Sequence, residues 1–192
     1  MVDLLLKAID RMIDLLRIRE KRMQKRFDQI WKPTYNDLQL VHTDYYSMFQ
    51  TVYRLAFEGI GKDNEVKSER LDKAIQFVKQ QRVAFAPIRQ KLSALRELQS
   101  DEKLLNTLSE EERGFLFQVT SYIRGKSLPD VVGTRSADLQ EELRRMARMD
   151  ETVAERMVLC ELDKCIEHLG EDWIEVSKSF NALQVALIQR ST

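Results

Sequence analysis

Glycine and proline are scarce in this chain, with six and three residues among 192. Few points can therefore turn sharply, which argues against sandwiches and barrels, since those folds need many tight turns. Apolar runs are short, only a few residues each, so no segment approaches the roughly 18 continuous apolar residues of a membrane span. A secretory leader is not expected either, because Leu4, Leu5 and Leu6 are followed at once by Lys7, Asp10 and Arg11. With two cysteines five apart at 160 and 165, a local disulfide is excluded, since that spacing on a helix turns them about 140° from one another. They read as buried thiols of a protein in a reducing, cytoplasmic compartment.

Histidine is equally sparse, and catalysis near neutral pH draws on it most often. His42 stands in the apolar face of a helical stretch, one turn before Tyr45 and Tyr46. These three residues could line a pocket with His42 as general base. A core histidine hydrogen-bonded to a tyrosine or a backbone carbonyl accounts for the pattern without chemistry, since no second acid, base or nucleophile is fixed to that face. Cys165 and His168 lie one helical turn apart, but no Cys-x-x-Cys pair or second histidine accompanies them, so neither a metal nor a cofactor is expected. Di-iron bundles need Glu-x-x-His pairs, and the position three before His42 is Gln39. Gly59-Ile60-Gly61 lacks the third glycine and the preceding strand of a phosphate-binding loop.

What the chain does have is helical periodicity. Charged residues make up 32% and hydrophobic residues 43%, enough apolar surface for one domain spanning residues 1–192. Val2, Ile9, Leu16, Met23 and Ile30 recur every seven positions, with Leu6, Ile13 and Phe27 four after members of that row. One helix is expected from Asp3 to Trp31, ended or kinked at Pro33. Tyr35–Phe57 reads as the central, most buried helix. The row Leu71, Val78, Phe85 and Leu92 marks a third, interrupted at Pro87. Ser109 and Glu112 form a capping-box pattern that starts a helix over 110–124. Residues 126–135 lack helical period and read as a loop. Beyond them a helix is expected from Ala137 to Leu169, closed at Gly170, and then a last one carrying Trp173, Val176, Phe180, Leu183 and Leu187. The expected architecture is an all-α bundle of five to six helices, with kinks or breaks near Pro33 and Pro87.

Formal net charge is zero, so the chain has no bulk attraction to nucleic acid or lipid. Regionally the balance differs. Residues 1–32 carry nine basic and five acidic side chains, whereas residues 150–175 carry nine acids and two bases, so these two regions are electrically complementary. Arg19, Arg22 and Arg26 form a strip on one flank of the opening helix. The function expected is a non-catalytic interaction or scaffold subunit that assembles as a homo-oligomer or with a protein partner. Its contacts would be the N-terminal seam, or the Trp173 and Phe180 seam. The alternatives are an anionic-surface binder, taking nucleic acid or an acidic membrane through Arg19, Arg22 and Arg26, and an enzyme centred on His42.

Overall fold

A computed structural model describes residues 2–17, 23–60, 62, 64–84, 102–124, 143–145 and 152–191. The fold is all-α, with no strand among the described residues. Helix α1 (Val2–Arg17) is followed by α2 (Met23–Arg26), a π-helical turn (Phe27–Trp31) and α3 (Lys32–Gly59). Then come α4 (Asn64–Ala84), the single turn α5 (Glu102–Leu105), α6 (Glu110–Arg124) and the long α7 (Thr152–Ser191). Helix α3 is central, packed against α1, α4 and α7, while α7 also lies along α6.

The opening segment is not one rod. Arg11 of α1 bonds Asp37 of α3, two residues that a straight helix would hold about 39 Å apart. The heptad spine therefore closes on its own continuation. Leu5, Ala8, Ile9, Met12 and Ile13 share a core cluster with Phe27, Trp31, Leu38 and Val41. Side-by-side packing buries both apolar stripes, which an isolated rod would leave in water.

Pro33 does not break the helix either. Proline cannot donate to the carbonyl four residues back, and its ring crowds that carbonyl. The chain absorbs the defect upstream, where Lys32 donates its amide to the Phe27 carbonyl five residues away and Arg26 and Lys32 keep helical backbone angles. The wider turn relieves the crowding, and Pro33 falls in the first turn of α3, where no amide is required. Pro87, Phe85, Leu92 and the 126–135 segment lie outside the described residues.

Gly170 was expected to stop a helix, yet α7 runs through it for 40 residues. The reason is a pair of seven-residue rows that continue across the glycine. Leu162, Leu169, Val176 and Leu183 are all buried. Leu159, Ile166, Trp173, Phe180 and Leu187 flank them and pack on the same cores. Burial along both rows outweighs the roughly 1 kcal/mol by which one glycine disfavours helix.

A second cluster joins Met48, Phe49, Val52 and Ala56 of α3 to Leu71, Ala74 and Val78 of α4 and to Leu159, Leu162 and Leu169 of α7. Tyr45 and Tyr122 border both clusters. Cys165 packs against the second cluster, but Cys160 is exposed rather than buried, because it falls on the outer face of α7.

A Cβ at Gly170 would meet no atom within 4 Å, and the same holds at Gly114 in α6. Gly170→Ala and Gly114→Ala should each stabilise the fold by about 0.5–1 kcal/mol. Chemical denaturation of the two variants checks this, and a lowered midpoint for Gly170→Ala would contradict an uninterrupted α7.

Candidate functional site

The N-terminus of α6 is built as its sequence pattern requires. The Ser109 hydroxyl accepts from the Glu112 amide at 3.2 Å, and Glu112 Oε2 accepts from the Ser109 amide at 2.9 Å, a reciprocal capping box. The same carboxylate does more. Arg26 donates through Nε to Oε1 at 2.7 Å and through Nη2 to Oε2 at 2.6 Å, while Trp31 Nε1 donates to Oε1 at 2.9 Å. Each oxygen thus accepts two hydrogen bonds, filling the four lone-pair sites of a carboxylate. Side-chain exposure is 5% for Arg26 and 0% for Glu112, so the pair is fully removed from water.

Arg26 is therefore no part of an exposed basic strip. Its place is explained by the π turn. In an α-helix, residues five apart diverge by about 140°, whereas an i→i+5 turn brings them nearly into line. Arg26 and Trp31 can then address one carboxylate together. Arg19 and Arg22 lie outside the described residues. Two cations of the opening segment are answered by carboxylates outside residues 150–175: Arg11 meets Asp37, and Arg26 meets Glu112.

Trp173 and Phe180, expected to meet a partner, are spent inside the chain. Phe27 and Phe180 stack at 5.7 Å, Phe180 and Tyr35 at 4.0 Å, Tyr35 and Trp173 at 5.5 Å, and Trp173 and His42 at 4.7 Å. The result is one column of rings drawn alternately from the α2–α3 rod and α7, with the Tyr35 hydroxyl donating to Ser177 Oγ at 3.2 Å. Ring pairs of this kind add about 0.5–1.5 kcal/mol beyond burial. The Trp173 and Phe180 rings are thus met by Phe27, Tyr35 and His42 of the same chain.

His42 closes the column. Its Nδ1 is 2.9 Å from the Tyr122 hydroxyl, and its ring tilts against Tyr46 at 5.8 Å. Tyr45 turns instead to Phe49, edge-on at 5.1 Å. Of the expected His42, Tyr45 and Tyr46 group, the structure keeps only His42 with Tyr46. Tyr122 and Trp173, from α6 and α7, complete the surroundings, and no local spacing could have named them. Burial pushes the imidazole below its ordinary value of 6.5, favouring the neutral ring.

An open face lies elsewhere, where the end of α3, the start of α4 and the first turns of α7 meet. There a groove of about 700 Å³ has Phe57, Ile60, Val66 and Leu159 as its apolar lining. Lys62, Arg70 and Arg156 rim it with one acid among the described residues, Glu58. Arg70 Nη1 lies 3.4 Å from Glu58, and Arg54 lies 4.0 Å away on the same carboxylate. Phe57 is 59% exposed although Tyr53 stacks beside it. His42 lines neither this groove nor the shallower one along Glu69, Lys73 and Gln80. Sequence reading assigned Phe57 to the buried face of α3 and so missed this site.

Among the described residues no group of His, Cys, Asp and Glu is placed to hold a metal ion, and no helix is long and apolar enough to cross a membrane. No family model, curated protein or solved structure matches the chain.

Glu112→Gln leaves a buried guanidinium without its counter-charge, and Arg26→Met leaves the carboxylate short of two donors. Each should cost about 3–5 kcal/mol, and the double variant about 0.5–3 kcal/mol less than the sum. Urea unfolding of the four proteins measures this, and simple additivity would deny the coupling.

Because the folded pKa of His42 is lowered, the unfolded chain binds the proton more readily. Stability should therefore be fully present above about pH 6.5 and decline as pH falls below it. His42→Phe, which keeps a flat ring on Trp173, should remove that decline between about pH 7.5 and 5.5. His168, common to both proteins, cancels in the comparison; parallel stability profiles would show that His42 contributes nothing.

Proposed function

We propose that this chain is a non-catalytic helical interaction or scaffold subunit of the cytoplasm, and that its partner-facing surface is the groove at the α3, α4 and α7 junction. The observation that carries this reading is Phe57. It is a large aromatic side chain left 59% exposed beside Val66, itself 37% exposed, over the buried Leu159. Single exposed apolar side chains are ordinary, but contiguous ones rimmed by polar groups mark interaction surfaces. Trp173 and Phe180 do not serve this role, since their rings are stacked within the fold. The His42 ring, stacked on Trp173 and bonded to Tyr122, supports a structural rather than catalytic part for that residue.

The test compares two exposed apolar residues of α3, Phe57 and Leu40, which are about 25 Å apart along the helix. Leu40 is 54% exposed and lies away from the groove. Proteins retained from the native host by wild-type chain should persist with Leu40→Glu and be lost with Phe57→Glu, at unchanged thermal midpoint. Identical retention by the two variants would remove the groove from the proposal.

A further inference from the structure

Resting on that reading, we propose that the occupant of the groove is an acidic amphipathic helix of a partner protein. Three cations, Lys62, Arg70 and Arg156, face one carboxylate, and that carboxylate is already shared by Arg70 and Arg54. Lys62 and Arg156 have no carboxylate partner among the described residues. Among the described residues the site therefore carries a surplus of two positive charges around an apolar floor, and this pairing sets the chemistry of what it accepts. A fully hydrated anion gains nothing from Phe57, Ile60 and Leu159, and an uncharged apolar segment leaves the cations unanswered. A segment with apolar side chains on one face and Asp or Glu on its shoulders satisfies both.

The backbone form follows from the fold. Strand addition needs a sheet edge, and no strand exists among the described residues to offer one. An apolar cleft between helices, lined by Phe57, Ile60, Val66 and Leu159, suits the helix-in-groove mode, in which anchors recur at i, i+3, i+4 and i+7. The groove volume of about 700 Å³ lies within the range of built ligand clefts, roughly 300–1,000 Å³. Electrostatic steering by the rim would speed encounter, and the apolar floor would set the lifetime of the complex.

Fluorescence anisotropy of the full chain with three synthetic helical peptides tests the proposal. One carries leucines at i, i+3, i+4 and i+7 with glutamate shoulders, the second has lysine in place of glutamate, and the third has serine in place of leucine. The Leu/Glu peptide should bind, and should weaken about tenfold or more in about 1 M salt, where the Debye length is about 3 Å. Binding should also weaken about tenfold with Lys62→Glu combined with Arg156→Glu, and with Phe57→Ser. The Leu/Lys and Ser/Glu peptides should not bind the wild-type chain. Equal binding of the Leu/Lys peptide in a Phe57-dependent way would overturn the acidic partner while leaving the groove as an interaction face. No Phe57-dependent binding of any peptide would overturn both. Binding of a single-stranded RNA that needs Arg156 but not Phe57, and that displaces the peptide, would assign the rim to phosphate and overturn the proposal.

Discussion

The carboxylate of Glu112 is the point on which the first core cluster, the one that holds Trp31 and Phe115, depends. It starts one helix and anchors another. Its four acceptor positions are filled by the Ser109 amide, by two guanidinium donors of Arg26 and by the Trp31 indole, at 2.6–2.9 Å. The isolated cost of burying such a charge is several kcal/mol, and only complete pairing offsets it. That requirement fixes geometry more tightly than apolar contact does. Arg26 and Trp31 must face the same way, which an unbroken α-helix denies them and the π turn grants. The turn in turn sits where Pro33 needs relief from the carbonyl before it. One residue that seemed to end a helix instead shapes the wall against which α6 is set.

From that anchor the aromatic column follows. Phe27 lies at the start of the π turn and Trp31 at its end. With both directed inward, Phe27 meets Phe180 and Trp31 meets the edge of Phe115 at 5.7 Å. Tyr35 and His42 then continue along α3 opposite Trp173 and Phe180. The column spans the contact between α3 and α7 and delivers His42 to the border of the second cluster, where Tyr45 and Tyr122 link the two cores. Its rings are stiff and their partners lie on three helices, so α3, α6 and α7 are held in one register.

The features written locally were legible in the sequence. Ser109 and Glu112 announced the start of α6, and Leu71 and Val78 announced the inner face of α4, because both patterns act within two turns of one helix. What failed was non-local or depended on weighing two local signals. Arg26 belongs by spacing to a row of cations, and nothing nearby reveals a carboxylate 86 residues away that removes it from solvent. Gly170 was read by its preference, although the two seven-residue rows on either side carried the opposite instruction. Trp173 and Phe180 were correctly seen as a seam, but a seam pattern states only that a partner exists. Whether that partner is another chain or the same one depends on the path between them.

The second core cluster has a different character. It is mainly aliphatic, from Met48 and Val52 through Leu71 and Val78 to Leu162, with Phe49 among them. Leu159 is a member of this core and also lines the groove, so the groove is the place where the core reaches the surface unfinished. Burying a Phe side chain contributes about 1.5–3 kcal/mol, and Phe57 forgoes much of that while keeping charged neighbours that cannot cover it. The fold can hold such a position open because its stability is secured elsewhere, by Glu112, the ring column and the rows of α7. A helix laid over Phe57 and Leu159 would extend the second core by one more element, obeying the same packing rule that set α4 against α3.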